Sequence, residues 1–118
     1  MRPSVWGPKF WFVLHTSSFR YPKKPSPEQK KYMKQFLYSM ANQIVPCPEC
    51  RAHMLKYIDD PKNGLEYALE DGQEYVKFIW KFHNDVNQRI GKPHMSFTDF
   101  KDLYQSYEYI MHQSKSKS

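Results

Sequence analysis

The chain contains two cysteines, Cys47 and Cys50, which are separated by only two residues. Pro48, a residue suited to the first turn of a helix, predicts that a helix begins at this pair and runs to about Ile58. Unpaired backbone N–H groups and the dipole at a helix N-terminus stabilise a thiolate, so the pKa of a cysteine placed there falls below its free value of about 8.5. A thiolate is both nucleophile and leaving group in disulfide exchange. The pair therefore favours a redox-active dithiol.

The residues alone leave other uses of the pair open. With His53 the cysteines form a Cys-x-x-Cys-x-x-His sequence that can bind zinc, and His15, His83 or His94 would have to supply the fourth ligand of a tetrahedral site. Two thiols without a function are a further alternative. Haem attachment requires a histidine directly after the second cysteine, where this chain has Arg51. A thioredoxin-like fold requires alternating strands and helices, which the sequence lacks.

The helices that must position the cysteines appear as apolar stripes with helical spacing. We predict helices over residues 7–20, 27–45, 47–58 and 73–90 and from residue 96 onward, with a short helical segment over 65–71. The stripe of the second helix comprises Tyr32, Phe36, Leu37, Met40 and Ile44. Sustained strict alternation and hairpin turns, which indicate strands, are absent. The prediction is an all-α five-helix bundle, with a four-helix core and a short C-terminal helix.

The length of 118 residues and the hydrophobic content of 40% are those of one domain. We assign this domain to residues 1–112 and expect residues 113–118 to be a disordered polar tail. The longest purely apolar run, Phe10 to Leu14, is far shorter than the roughly 20 residues needed to cross a bilayer. Because the N-terminus shows no secretory signal, we expect a protein that is neither secreted nor bound to a membrane.

The formal net charge of +6 is unevenly distributed. Residues 59–75 carry a local charge of −5, so the remainder of the chain carries +11. A basic chain in which 17% of the residues are aromatic is compatible with a helical nucleic-acid-binding module. This is the second class of function that the sequence leaves open, and salt-dependent retention of DNA or RNA would distinguish it.

Polar side chains interrupt the apolar face of the helix predicted over residues 73–90. His83 and Asn87 lie on this face, where burial without a partner costs about 1–3 kcal/mol each. A hydrogen bond between them inside the core is one solution. Alternatively, two Trp–His pairs hold a flat aromatic heterocycle by stacking and hydrogen bonding. One pair is Trp80 and His83, and the other is Trp11 and His15, which lie one turn apart on the first helix. The full stripe is Val76, Ile79, Trp80, His83, Val86, Asn87 and Ile90.

The order of the motifs along the chain is informative. They are Trp6-Gly7-Pro8, Leu14-His15-Thr16, Tyr21-Pro22, Cys47-Pro48-Glu49-Cys50, His83-Asn84-Asp85-Val86-Asn87 and Gly91-Lys92-Pro93. This ordered set resembles the Erv/ALR family of FAD-linked sulfhydryl oxidases, above all the short members of large cytoplasmic DNA viruses. The resemblance covers about residues 5–107.

The resemblance implies a thiol oxidase that holds FAD noncovalently in a small helical bundle. A substrate thiolate would attack Cys47, Cys50 would face the flavin, and O2 would reoxidise the flavin to yield hydrogen peroxide. The residues implied to contact FAD are Gly7, Trp11, His15, His53, Trp80, His83, Asn84, Val86 and Asn87, with Lys92 near the phosphates.

The chain departs from the family pattern in two places. Many members carry a structural Cys-x16-Cys disulfide, but no cysteine follows Cys50 here, and Phe97 stands at about the first position. Packing, FAD or dimerisation must then hold the last helix. Many members also carry a shuttle cysteine pair, which is missing here. A dithiol protein substrate or a separate thiol carrier protein would therefore reach Cys47 directly. The resemblance also implies a homodimer without metal or nucleic acid, working in the host cytoplasm at sites of virus assembly.

Overall fold

The computed structural model describes residues 2–104. Its helices are α1 (Pro3–Arg20), α2 (Pro27–Ser39), α3 (Pro48–Asp59), α4 (Leu65–Ala68), α5 (Gly72–Arg89) and α6, which begins at residue 97 and is described to residue 104. Since residues 2–104 contain no strand, the all-α prediction is confirmed, with the short segment predicted over 65–71 present as α4. None of the described helices is both long and apolar enough to cross a membrane. The tail predicted at 113–118 lies outside the described residues.

Helix α1 begins earlier than the sequence predicts, at Pro3 instead of Gly7. Pro3 stands in the first turn, where the missing N–H has no cost. Pro8 consequently lies inside the helix, where it removes one backbone hydrogen bond. The ring of Trp6 packs edge-on against Phe10 at a centroid distance of 5.9 Å. Both rings lie against the main core, and this packing stabilises the added turn.

Helix α2 begins as predicted, with Ser26 and Gln29 forming a reciprocal capping box, and continues into a π-helical turn, Met40–Ile44. The N–H of Val45 donates to the carbonyl five residues back, at 3.1 Å. This wider turn moves the apolar face by one residue, so Val45 is buried while Ile44 is 56% exposed. The predicted stripe is therefore wrong at Ile44, and also at Tyr32, which is 63% exposed.

Helix α5 is the central element and is buried on more than one face. The predicted stripe is correct for Val76, Ile79, His83 and Asn87 but misses Tyr75, Phe78, Phe82 and Asn84, which are buried as well. Ile90 is 53% exposed because the helix has ended at Arg89, and the left-handed cap predicted at Gly91 is present with φ of 77°.

The uneven charge of the chain is partly matched inside the fold. Lys30 on α2 contacts the carboxylate of Glu70 at 2.6 Å, and Lys34 pairs with Glu66 on α4. The basic helix thus lies along the acidic segment 59–75. Exposed pairs of this kind contribute only about 0–1 kcal/mol each, so they add little to the stability of the fold.

A second, smaller core of aromatic rings attaches α6. Phe100 is fully buried and stacks on Phe19 of α1 at a centroid distance of 5.4 Å. Phe97 lies edge-on to Trp80 of α5 at 5.2 Å, and Tyr104 completes the cluster. Phe97 stands where the resemblance places the first cysteine of a disulfide, so ring packing holds the described part of the last helix in its place.

Replacing Phe100 with alanine should lower the free energy of unfolding by about 3–5 kcal/mol, because the substitution empties a fully buried ring site. Urea denaturation followed by circular dichroism measures this change. Leu103→Ala on the same helix is the matched control, since that side chain is 44% exposed. A loss at Phe100 no larger than the loss at Leu103 would contradict the anchoring role of this cluster.

Candidate functional site

The two cysteines lie at the start of α3, as predicted. Cys47 is the N-cap residue, and its Sγ accepts a hydrogen bond from the backbone N–H of Cys50 at 3.2 Å. Both residues are free thiols in the structure. Hydrogen bonds from Cys50, first from its side chain and then from its backbone N–H, lower the pKa of the Cys47 thiol below its usual value. Cys47 is therefore the more acidic sulfur of the pair.

Cys50 has a different environment from Cys47. Its side chain packs against the main hydrophobic core, and burial is the first cause that raises the pKa of its thiol. The neighbouring Cys47 raises this pKa further, while Arg89 on α5 lowers it. Since the charged form of Cys50 is disfavoured and that of Cys47 favoured, the two sulfurs are chemically distinct, with Cys50 on the inner side.

The structure brings together the predicted aromatic and histidine residues of α1 and α5. His15 Nε2 lies 2.7 Å from His83 Nδ1, and both side chains are buried. The indole of Trp11 stacks on the His83 ring with a centroid distance of 3.7 Å and an interplanar angle of 8°. The alternative of a hydrogen bond from His83 to Asn87 is not present, because the Asn87 amide bonds to Asn84 instead, at 3.4 Å.

Both histidines are uncharged at neutral pH. Burial, followed by the proximity of His83, lowers the pKa of His15 to about 2. Burial, followed by the charge of Lys92, lowers the pKa of His83 to about 4. One ring nitrogen of the pair must then donate and the other accept. The influence of Lys92 on His83 also shows that this predicted phosphate contact lies close to the ring cluster.

The cluster retains unused hydrogen-bonding capacity. His15 Nδ1 is buried, and no partner for it exists among residues 2–104, a situation that costs about 1–3 kcal/mol unless a ligand satisfies the atom. Gly7 lies on α1, the helix that carries His15. Inside a helix, glycine is about 1 kcal/mol less favourable than alanine. A Cβ atom there would meet no atom within 4 Å, so packing within the described chain does not require the glycine. These features fit a flat heteroaromatic ligand.

Other predicted site residues hold the segment before α6. The side-chain amide of Asn84 donates to the Met95 carbonyl at 2.9 Å and accepts from the Met95 N–H at 2.8 Å. Trp80 Nε1 donates to the same carbonyl at 2.8 Å. Val86 is half-buried against the main core. Trp80 and Asn84 therefore position the chain that follows Lys92, instead of joining the ring cluster directly.

Helix α6 covers the ring cluster, which the sequence did not indicate. The rings of Phe100 and Tyr104 lie 4.6 Å and 4.3 Å, centroid to centroid, from the ring of His15. The apolar spacing of α6 predicted a buried face, but no local signal showed that this face would lie on a histidine.

The structure gives His53 a partner that the sequence missed. His53 Nε2 lies 2.7 Å from Asp85 Oδ2, joining α3 to α5. Asp85 was visible only as the middle residue of the motif that contains His83 and Asn87.

Within residues 2–104, no group of three or more His, Cys, Asp or Glu side chains is arranged to hold a metal ion. The zinc alternative therefore has no ligand set in the described part of the chain.

Comparison with known proteins identifies the family of the chain. The model of the Erv1 / Alr family matches residues 8–105. The chain belongs to this family. It is 31% identical over 100 residues to the FAD-linked sulfhydryl oxidase of African swine fever virus, covering 85% of this chain and 80% of that protein. The similarity to short viral members, and to the African swine fever virus protein in particular, is thus confirmed.

Two further relatives support the assignment. The putative FAD-linked sulfhydryl oxidase of invertebrate iridescent virus 3 is 31% identical over 105 residues, covering 89% of this chain and 67% of the relative. The crystal structure of the FAD binding domain of Erv1 from Saccharomyces cerevisiae superposes with a TM-score of 0.77 at 28% identity, covering 90% of this chain and 96% of that chain. The fold of this family member is therefore that of the Erv1 core.

Acidification should destabilise the protein between about pH 6.5 and pH 5. Each buried histidine keeps a lowered pKa in the folded state, so the unfolded chain binds its proton first as the pH falls below about 6.5. We expect the free energy of unfolding to fall by about 2 kcal/mol per buried histidine over this window.

Urea denaturation at several pH values measures this dependence. His83→Gln should reduce the slope of the free energy of unfolding against pH by the contribution of one histidine. His94→Gln, at an exposed position, should leave this slope unchanged. A profile that is flat from pH 6.5 to pH 5 in the unsubstituted protein would show that the His15–His83 pair is not buried in its neutral form.

Proposed function

We propose that this chain is an FAD-dependent thiol oxidase that forms disulfide bonds in protein substrates through Cys47 and Cys50, with O2 as electron acceptor and hydrogen peroxide as product. The observation that carries the proposal is the pair of chemically unequal sulfurs at the start of α3, in a fold that also assembles a buried Trp–His–His cluster. The names of the relatives in the same family, which are FAD-linked sulfhydryl oxidases, support it.

The residues that would hold FAD fall into two groups. Trp11, His15 and His83 supply aromatic rings and an unpaired buried nitrogen, which suit stacking and hydrogen bonding to a heteroaromatic ring. Lys92 offers a positive charge close to His83, which suits a phosphate group. When bound, FAD supplies the two-electron acceptor that restores the Cys47–Cys50 disulfide and from which O2 takes the electrons.

The exchange itself uses only the sulfurs of the chain and of the substrate. A substrate thiolate attacks Cys47 Sγ of the disulfide, a new S–S bond forms, and the bond to Cys50 breaks with its electron pair on Cys50 Sγ. A second substrate thiolate then attacks the substrate sulfur of this mixed disulfide and releases Cys47 as a thiolate. The substrate has lost two electrons and the chain has gained them as the Cys47–Cys50 dithiol.

The two environments suit these two steps. The hydrogen bonds that lower the pKa of Cys47 make it a good leaving group in the second step, because low-pKa thiols leave faster. Attack at Cys47 is favoured in the first step because Cys50 packs against the core. Release of Cys50 would leave the electrons on the inner sulfur, in keeping with the role that the family resemblance implies for Cys50.

Partners and location form part of the same proposal. The substrate is a dithiol protein or a separate thiol carrier, which would approach the half-buried N-cap sulfur of Cys47 at the start of α3. We further propose a homodimer acting in the host cytoplasm. Sedimentation of the purified protein tests the dimer directly.

Purified protein should be yellow, and Trp11→Ala should weaken FAD binding by about tenfold or more, since a stacked ring contributes about 1–3 kcal/mol. Titration of the flavin-free protein with FAD, followed by flavin fluorescence, measures the dissociation constant. Phe12→Ala replaces the adjacent, exposed ring of α1 and serves as the control. A protein that is colourless and binds no FAD would overturn the proposal.

Cys50→Ser should retain bound FAD yet reduce thiol-dependent oxygen uptake to below about one hundredth of the starting rate, because the disulfide cannot form. An oxygen electrode with dithiothreitol as substrate measures the rate, and the visible spectrum measures the flavin content. Cys47→Ser should behave in the same way. Substantial turnover by either variant with flavin bound would exclude the exchange sequence described above.

A further inference from the structure

Two neighbouring residues of α3 face two neighbouring residues of α5 at the redox centre. Cys50 and His53 are three positions apart and lie on one side of α3, while Asp85 and Arg89 are four positions apart and lie on one side of α5. The 2.7 Å contact between His53 Nε2 and Asp85 Oδ2 joins these two sides. The ring of Tyr57, one turn further along α3, lies 5.0 Å from that of Phe82, which is about one turn before Asp85 on α5. The two helices therefore run antiparallel, and the next turn of α5 brings Arg89 opposite Cys50.

The positive charge of Arg89 acts on the Cys50 thiol and lowers its pKa. Within residues 2–104, the other ionisable group that acts on this thiol is Cys47, which raises its pKa. Arg51 is adjacent in sequence, but its guanidinium donates to the Val45 carbonyl at 2.7 Å. The positive charge that Cys50 meets therefore comes from α5 and not from its own helix.

We propose that Arg89 stabilises the Cys50 thiolate that is released when a substrate thiolate opens the Cys47–Cys50 disulfide, and that the His53–Asp85 pair holds Arg89 in this position. This inference deepens the proposed function and rests on it. It gives Arg89 an electrostatic role on the leaving group and makes Asp85 a positioning residue.

The chemistry of the first exchange step explains why such a charge is needed. The bond between the substrate sulfur and Cys47 Sγ forms as the Cys47–Cys50 bond breaks, and the electron pair stays on Cys50 without any proton transfer. Burial disfavours this negative charge, and a poorly stabilised thiolate leaves slowly. A guanidinium near Cys50 offsets this penalty, because an opposite charge nearby favours the ionised form of a thiol.

The test measures the ionisation of Cys50 directly in the full chain carrying Cys47→Ser, where Cys50 is the only thiol. The rate of alkylation by iodoacetamide is followed from about pH 6 to pH 10, so that the inflection reports ionisation and the plateau reports access. Adding Arg89→Gln should slow alkylation near pH 7 by about threefold to tenfold, with the plateau unchanged. Arg89→Lys should restore most of the rate, and Lys81→Gln, an exposed site on α5, should have no effect.

A double-variant comparison tests the role of the His53–Asp85 pair. If this pair holds Arg89 in place, the effect of Arg89→Gln should shrink to less than about twofold when Asp85→Asn is also present. A full effect in that background would overturn the positioning role of Asp85. Identical pH profiles with and without Arg89→Gln would overturn the electrostatic role of Arg89.

A further measurement uses the protein that retains Arg89, so that its result does not depend on whether Arg89→Gln folds. Raising the salt concentration to about 1 M shortens the screening length to about 3 Å, so alkylation of Cys50 near pH 7 should slow while the plateau stays constant. A rate that is independent of salt would count against Arg89. Because alkylation requires no turnover, these results stand even where no oxidase activity is found, and loss of the proposed function would be seen separately in the flavin and oxygen assays.

Discussion

The hydrogen bond between the buried rings of His15 and His83 is the contact around which the candidate site is organised. It joins α1 to α5, with Trp11 stacked on one ring and Phe100 and Tyr104 against the other. The arrangement requires both histidines to be neutral, because two positive charges cannot share a buried position at this distance. A polar pair inside an aromatic cluster, with one ring nitrogen unsatisfied, is costly for stability alone. Ligand binding gives it a physical reason.

The redox centre depends on a second junction, between α3 and α5. A helix start by itself would favour the thiolate at both cysteines, yet the tertiary environment separates them. Cys47 keeps the benefit of the helix start, whereas Cys50 is disfavoured as an anion by its packing against the core. Arg89 then offsets part of this penalty at Cys50. The fold thereby produces two thiols with different tasks from one local motif.

Helix α6 links stability to the site. The rings that attach it to α1 and α5 are the rings that cover His15, so the last described helix cannot loosen without exposing the cluster. Aromatic packing here takes the position at which the family resemblance implies a disulfide. Unlike a disulfide, it does not depend on the redox state of the surroundings, which suits an oxidase that must remain folded while thiols and disulfides exchange.

The sequence by itself determined the helix starts at Ser26 and Cys47, the left-handed cap at Gly91 and the all-α fold, because capping residues and apolar spacing act within a few positions of the chain. The ordered motifs also identified the family and its dithiol. Only the tertiary structure decided the register shift at the π-helical turn, the pairing of His15 with His83 and of His53 with Asp85, and the approach of Arg89 to Cys50. These contacts depend on how helices cross and which rotamers fit between them, and helical periodicity in the sequence is the same for every such arrangement.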